Sequence, residues 1–421
     1  MELYLKNIGK IGEAAITLDG ITVIAGENDT GKSTVSRVLF SIFSSCFNVE
    51  EQIISEKINA VEEVIHSMFR NRHMLRSDIN NAAQRMISVA SDCNNDLEVL
   101  AGFIKTELGR MVDLARENGL KNDSVNEKID NFTEKIMNYL NVSDETFFDA
   151  VLKSTLDEEF NGQIQNIYTK ADSKILLKIE DAEMTVLIKE NTIVRNDPYM
   201  DLHSKVFYLD NPMILDILIY CFRYNGKGHQ DNLCTCLVEG KRRNIIEEIV
   251  ADKKLDRIFP MLSSVCSGSI TQINKIECGY QDGDGKNTLN IKNLSAGLKT
   301  FLILKTLILN GEIEYGSVIL LDEPEIHLHP EWQLIFAEII VLLQKEFNVF
   351  ILLNTHSHYF LDAIEVYSKK HGVADKCRYY LSDSKDGVAF MTDVTGNTEQ
   401  IYKKLARPLQ TLENERYRHE D

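Results

Sequence analysis

Gly26-Glu27-Asn28-Asp29-Thr30-Gly31-Lys32-Ser33 has the spacing G-x-x-x-x-G-K-[ST]. It follows the apolar run Ile21-Thr22-Val23-Ile24-Ala25, which reads as a strand, and runs into Thr34-Val35-Ser36-Arg37-Val38-Leu39-Phe40, which reads as a helix. That strand–loop–helix setting gives the spacing its meaning. Glycines at both ends let the backbone curl until successive N–H groups point at an anion, and the helix start adds the positive end of its dipole. Lys32 supplies a mobile cation for the β- and γ-phosphates, and Ser33 a hydroxyl for Mg²⁺. Gly26, Asn28, Thr30, Gly31, Lys32, Ser33 and Thr34 are therefore the candidate residues of a nucleoside triphosphate site.

Around this stretch lie 421 residues, long enough for two or three domains. An apolar content of 44% with 26% charged residues is that of a folded globular chain. No run of about eighteen apolar residues is present, so no membrane partner is expected. The N-terminus, Met1-Glu2-Leu3-Tyr4-Leu5-Lys6, lacks the layout of a signal peptide, and a cytoplasmic protein is expected. The cysteines are scattered singly apart from Cys234 and Cys236, whose C-x-C spacing is not that of a zinc site; reduced, mostly buried thiols are expected. A net charge of −18 argues against broad coating of a nucleic-acid backbone but leaves a local basic groove open. Lys241-Arg242-Arg243 and Lys253-Lys254 are the candidates for one, although short basic clusters are more often solvated faces.

The chain opens with three predicted strands, Glu2 to Leu5, Ala14 to Leu18 and Ile21 to Ala25, with Asp19-Gly20 as a hairpin turn signal between the last two. Residues 1–48 thus form the first segment. Residues 49–170 change character: no proline occurs before Pro198, and stripes such as Ile54, Ile58, Val61, Ile65 and Ile129, Phe132, Ile136, Leu140 have helical spacing. A helical insertion folded back as an antiparallel hairpin is expected, with a break near Asn118-Gly119 and Asn122-Asp123; an ordinary subdomain and a functional arm both fit. Residues 171–290 bring strands at Ile175 to Ile179, Met184 to Lys189 and Lys205 to Leu209. A helix from Pro212, a loop over 225–235, further helices through Leu262 and a hairpin turning at Asp282-Gly283-Asp284-Gly285 complete that segment. Residues 291–375 read as a buried helix from Leu298 to Asn310 and then a strand–helix–strand unit of a parallel sheet. Residues 376–421 hold two strands, a helix and a charged tail.

Three further features belong with the loop. The strand Val318-Ile319-Leu320-Leu321 ends in Asp322-Glu323, placing two carboxylates at the edge of a parallel sheet where ligands bind. Asp322 is the candidate to hold Mg²⁺ through water, and Glu323 the candidate base that deprotonates an attacking water. Leu294-Ser295-Ala296-Gly297 opens the buried helix; Ser295 sits at the N-cap and Gly297 permits close backbone approach, so this is a second helix start suited to a phosphate. Asn354-Thr355-His356-Ser357-His358 follows the next strand, and His356 there could reach a γ-phosphate. His327 and His329 flank a permissive H-x-H beside Glu325, with no other metal ligands evident.

These four blocks, in this order, resemble the ABC-type ATPase superfamily, with Walker A, signature, Walker B and switch histidine, and within it the SMC/RecF/OLD-like branch. Asp322-Glu323-Pro324-Glu325-Ile326-His327-Leu328-His329-Pro330 is similar to the D-E-P-E-x-x-L-H-P block of OLD-like ATPases, and Thr355-His356-Ser357 to their T-H-S switch, with His358 where proline is common. No Q-loop glutamine stands out; Asp210 or Asn211 takes that place. The resemblance implies an α/β fold: an ABC-type P-loop ATPase head with a mixed and parallel sheet, N-terminal antiparallel strands and a helical insertion. It implies ATP and Mg²⁺ as cofactors, and a head-to-tail homodimer or higher assembly in which Ser295 and Gly297 of one subunit close over the γ-phosphate held by Lys32 of the other. Phosphoryl transfer needs positioning and charge neutralisation more than covalent chemistry, so a second helix start supplied in trans makes physical sense.

The segment after His356 is too short for the TOPRIM nuclease domain of full-length OLD-like proteins, so any cleavage is expected from a separate nuclease subunit. The leading expectation is a Septu-like ATPase subunit of anti-phage defence. A RecF/SMC-like ATPase that clamps DNA, and a scaffold locked by nucleotide with little turnover, remain as alternatives.

Overall fold

The structure, a computed structural model, describes residues 1–69, 74–93, 96–118, 128–169, 171–190, 192–195, 197–218, 226–240, 249–250, 253–274 and 277–418. The chain divides into two compact units, Asn48–Ala150 and the combination of Met1–Phe47 with Val151–Asp421. Among the described residues no helix is long and apolar enough to cross a membrane.

The larger unit is built on a mixed sheet whose strands alternate or run apolar according to how many faces they bury. β1 (Glu2–Ile8) and β2 (Ile11–Thr17) form a hairpin closed at Gly9-Lys10, and β4 (Ser173–Ile179), β5 (Ala182–Lys189) and β6 (Thr192–Val194) extend it on the β1 side. Their every-other-residue burial is the signature of a half-covered antiparallel sheet. β3 (Ile21–Gly26), β7 (Val206–Leu209), β11 (Val318–Asp322) and β12 (Phe350–Thr355) are instead buried almost throughout; they pair in parallel with one another, and β3 also pairs in parallel with β13 (Cys377–Lys385). β14 (Val388–Asp393) joins the two halves, antiparallel to β13 and parallel to β2. The eleven strands run in the order β6-β5-β4-β1-β2-β14-β13-β3-β12-β11-β7.

Helices cover the parallel half. α1 (Lys32–Cys46) packs against β3, β7, β11 and β12. α9 (Ala296–Leu309), α10 (Pro330–Phe347) and α11 (His358–His371) share one core with Val23, Leu209, Leu321 and Leu353, centred on Phe301, which meets Phe336 edge-on at 5.3 Å. Fully burying side chains of this size stabilises by about 1.5–3 kcal/mol each. Smaller elements complete the unit: α6 (Asp144–Glu159), which enters it from the helical unit, α7 (His229–Val238), α8 (Ile258–Val265), a separate sheet of β8 (Ser269–Asn274), β9 (Glu277–Gln281) and β10 (Thr288–Asn290), and the closing helices α12 (Glu399–Leu405) and α13 (Arg407–Arg418).

In the helical unit α2 (Val49–Phe69), α3 (Arg76–Asp92), α4 (Leu97–Glu117) and α5 (Ile129–Leu140) surround a core of Val61, Ile65, Ala82, Met86, Ile104, Leu108 and Ile136. Apolar residues three and four apart on α4, from Leu100 through Ala115, make its buried face. Arg85 Nη2 ties α3 to α4 through Glu107 Oε2 at 2.9 Å. This is a four-helix core rather than the expected two-helix hairpin, because α2 contacts both α3 and α5.

Other expectations change with tertiary structure. Asp19-Gly20 does not close a β2–β3 hairpin: β3 leaves its chain neighbour and inserts between β13 and β12, where its two-sided apolarity is buried. The polar stretch read as a loop over 225–235 contains α7 from His229 on, with Leu233, Cys234 and Leu237 buried on one side. The helix from Pro212 is a single 3₁₀ turn, Pro212–Asp216, and the hairpin near residue 280 has a third strand, β8. Cys46, Cys93, Cys236, Cys266, Cys278 and Cys377 are free, whereas Cys234 is disulfide-bonded, so not all of the cysteines are the reduced thiols expected. The clusters Lys241-Arg242-Arg243 and Asn122-Asp123, and Gly119, lie outside the described residues.

Candidate functional site

Strand register assembles the site. Asp322 on β11 pairs with Asn354 on β12, and Asn354 and Thr355 pair with Ile24 and Ala25 on β3. Leu209 on β7 pairs with Leu321, so Asp210 and Asp322 leave neighbouring strands side by side. Four chain segments, ending at Gly26, Leu209, Asp322 and Thr355, therefore finish at one edge of the sheet, the edge where parallel α/β sheets hold ligands.

The phosphate loop joins β3 to α1. Gly31 precedes the helix with φ +79°, a left-handed conformation that a Cβ would strain, and it lets the chain turn directly into the α1 N-terminus. Thr30 braces the loop by donating from Oγ1 to the Glu27 carbonyl at 2.8 Å. From outside, Ser382 on β13 donates to the Thr30 carbonyl at 2.6 Å, and Lys10 pairs with Asp29. Lys32 is buried, and its ammonium donates to the carbonyls of Gly26 (3.1 Å) and Glu27 (2.8 Å).

Asn28, Thr30, Gly31, Lys32, Ser33 and Thr34 line one cleft of about 690 Å³, and Asp322 and Glu323 line it with them. That volume lies within the range of small-molecule sites. Both oxygens of Asp322 are held: Asn354 Nδ2 donates to Oδ1 at 3.1 Å and Tyr208 Oη to Oδ2 at 3.1 Å. Asn354 Nδ2 also reaches Ser36 Oγ on α1, at 2.9 Å. Burial, with Asp322 and Asp210 nearby, pushes the Tyr208 phenol well above its usual range, so it stays a donor. Ser33 with this oriented carboxylate is a hard-oxygen donor set suited to Mg²⁺.

Glu323 adopts φ +49°, an uncommon conformation for a non-glycine residue, secured by its backbone N–H to the Asn354 carbonyl at 2.9 Å. It sits 3.2 Å from His356 Nδ1 and 3.6 Å from Lys32 Nζ. The His356 contact, followed by the Lys32 charge, outweighs burial and lowers the Glu323 carboxyl below its ordinary value; the same contact raises His356. Glu323 is thus ionised at neutral pH, as a base must be. Behind it, Thr355 Oγ1 donates to Glu325 and accepts from the Ser357 N–H, which shapes the turn carrying His356. Glu325 is buried, with Oε2 unpartnered among the described residues, and burial raises its carboxyl.

Ser295 and Gly297 do not line this cleft; Thr300, further along α9, does. Ser295 caps α9 as expected, accepting from the Leu298 N–H at 3.3 Å. At Gly297 a Cβ would meet the His327 carbonyl of the same chain at 2.6 Å, so its close backbone approach is first of all to its own post-β11 loop. His327 lines the cleft, and no cluster of three metal-ligating side chains occurs among the described residues.

Several residues at the site carry no sequence motif. Tyr208 is legible only as a polar group near the end of a buried strand, and Asn354 opens the block that carries His356 without a role of its own being read there. His229, the first residue of α7, is legible in no pattern. Its Nδ1 lies 2.9 Å from both oxygens of buried Glu159, and Nε2 lies 3.1 Å from Asp210 Oδ2 at ion-pair distance, without hydrogen-bond alignment. Burial opposes its charge, but these two carboxylates win and raise its pKa to about 9.

That shift has a definite sign. His229 contributes stability that is full below its unfolded pKa of about 6.5 and is lost as pH rises through about 9, an amount of about 3 kcal/mol. The melting-temperature gap between wild type and His229→Phe is expected to narrow steadily from pH 6.5 to pH 10 in thermal unfolding. A gap that stays constant over that range would contradict a native imidazolium.

A family model for an AAA ATPase domain matches residues 1–361. Among solved structures, the chain is similar to the SMC head domain from Thermotoga maritima, at 13% identity over 93% of this chain and 98% of that one, with a TM-score of 0.37. It is also similar to an Smc head bound to the C-winged helix domain of ScpA (12% identity, 95% and 98% covered, TM-score 0.40). A third is the ADP conformation of an ATP-binding cassette of an ABC transporter (11% identity, 97% and 96% covered, TM-score 0.34). With most of its length matched by that family model, and with the cleft just described inside the matched span, the chain belongs to the AAA ATPase domain family.

Proposed function

We propose that this ATPase binds ATP with Mg²⁺ in the cleft of Lys32, Asp322 and Glu323 and hydrolyses it only when a second copy, docked head-to-tail, lays its Ser295 helix start over the triphosphate. The observation that carries this reading is the split of the motifs. Lys32, Ser33, Asp322 and Glu323 share one cleft, whereas Ser295 and Gly297 of the same chain stand outside it. A helix N-terminus with a capping serine is an anion site, and its ligand then has to come from another subunit.

Within the site, Lys32 exchanges the Gly26 and Glu27 carbonyls for phosphate oxygens, and the N–H groups at the α1 start face the same anion. Ser33 and Asp322 would hold Mg²⁺, which supplies neutralisation of the phosphate charge. Glu323, ionised and aimed by His356, takes the proton of the attacking water. His356 keeps that carboxylate oriented and is placed to report the nucleotide to the rest of the switch turn.

At the cellular level the ATPase cycle controls a separate effector nuclease in anti-phage defence. The block from Asp322 to Pro330, similar to that of OLD-like ATPases, supports this. The reading is tested on purified full-length chain by analytical ultracentrifugation with Mg²⁺ and a non-hydrolysable ATP analogue. Nucleotide-dependent doubling of mass is expected, together with ATP-dependent change in the activity of a co-expressed nuclease encoded beside it. A chain that stays monomeric at tens of micromolar with the site saturated would overturn the composite pocket; a nuclease indifferent to ATP would overturn the effector role.

A further inference from the structure

We propose that His229 is a positioning residue for ATP hydrolysis: clamped between Glu159 and Asp210, it holds the Asp210 carboxylate in the cleft wall beside Asp322, where Asp210 orients the attacking water. The assignment rests on the cleft being the hydrolytic site proposed above.

Asp210 is the first residue beyond β7, and the β7–β11 register sets it next to Asp322. It lines the cleft with Asp322 and Glu323, which puts three carboxylates around one small volume. A carboxylate so placed accepts a hydrogen bond from water, but repulsion from its neighbours and from a triphosphate drives it outward unless a cation restrains it. Of the other cations that line the cleft, Lys32 is 3.6 Å from Glu323 and engaged with the loop carbonyls, Lys10 pairs with Asp29, and Arg37 donates to the Glu159 carbonyl. The restraint on Asp210 is His229, at 3.1 Å.

His229 is itself held from every side. Glu159 at the end of α6 accepts from its backbone N–H at 2.8 Å and touches Nδ1 with both oxygens at 2.9 Å. The imidazole lies against the Tyr208 ring, centroids 4.4 Å apart, and meets the edge of Phe40 at 5.9 Å. Tyr208 is the phenol that donates to Asp322, so the same ring supports the residue that orients the neighbouring carboxylate. The Glu159 carbonyl in turn accepts from Arg37 Nη1 at 3.3 Å, and Arg37 lines the cleft from α1. A buried imidazole tied this closely to two cleft residues fixes geometry, and a displacement of about 1 Å at a reacting group costs on the order of 100-fold in rate.

Steady-state ATP hydrolysis is measured on full-length wild type, His229→Phe, Asp210→Asn and the double variant. His229→Phe keeps an aromatic ring between Tyr208 and Phe40. Because it strands Glu159, it is also made together with Glu159→Gln, which removes the uncompensated charge. Expected for His229→Phe and for Asp210→Asn is a fall in kcat of about 10–100-fold with KM for ATP within about twofold, and a double variant no slower than the worse single one. Multiplying effects would overturn the claim that His229 acts through Asp210. A Glu159→Gln/His229→Phe protein with wild-type kcat, or one changed only in melting temperature, would overturn the role itself. Wild type without turnover sinks the hydrolytic reading; active wild type with indifferent variants sinks only this assignment.

Discussion

Glu323→Gln is expected to lower kcat for ATP hydrolysis by about 10²–10⁴-fold while leaving ATP binding intact. The substitution is nearly isosteric and retains an oxygen for His356 and Lys32, which lie 3.2 and 3.6 Å away. What it removes is the proposed proton acceptor, whose carboxyl is lowered by the His356 contact and by Lys32. Because the amide also cancels one negative charge facing the triphosphate, ATP should be held longer and the nucleotide-bound assembly should accumulate. Phosphate release and sedimentation measured on the same sample check both halves. Unchanged phosphate release would show that another group is the base.

Lys32→Ala and Ser295→Arg are expected to abolish turnover separately, for different reasons. Lys32→Ala removes the only cation the phosphate loop itself contributes, so ATP binding followed by equilibrium titration should be lost. Ser295→Arg leaves the cleft of its own chain untouched, since Ser295 does not line it. It forfeits an N-cap worth about 1 kcal/mol and places a bulky cation on the helix start proposed to face a partner. Chains of this variant should therefore still bind ATP but not hydrolyse it. Gly297 is the poorer probe, because any side chain there collides with the His327 carbonyl within the chain.

What could be read from residue order was what depends on neighbours in the chain. The phosphate loop, the strand ending in Asp322-Glu323 and the capped start of α9 are local devices, and each stands where its pattern put it. The parallel strand–helix–strand unit followed from the apolar runs of β11 and β12, and the mixed α/β class as a whole from the resemblance to ABC-type ATPases. What could not be read was pairing across distance. Asp19-Gly20 carries a hairpin signal, yet β3 is buried on both faces and the interior of the parallel sheet wins over the local turn. Tyr208, Asn354, Glu159 and His229 act at the site only because β7, β12, α6 and α7 converge on it. Asn354 had a faint signal, a polar residue interrupting the apolar run of β12; His229 had none, since it opens a helix inside a stretch whose polarity suggested a loop.

The most direct test mixes Lys32→Ala with Ser295→Arg chains, each inert alone. In a head-to-tail pair, one of the two sites then combines the intact Lys32 cleft of one chain with the intact Ser295 of the other. With random pairing, half the dimers carry one working site of two, so about one quarter of wild-type ATP hydrolysis should return on mixing. Activity that stays at zero across the mixing series, with both variants folded and exchanging subunits, would contradict a triphosphate pocket shared between two copies of this chain.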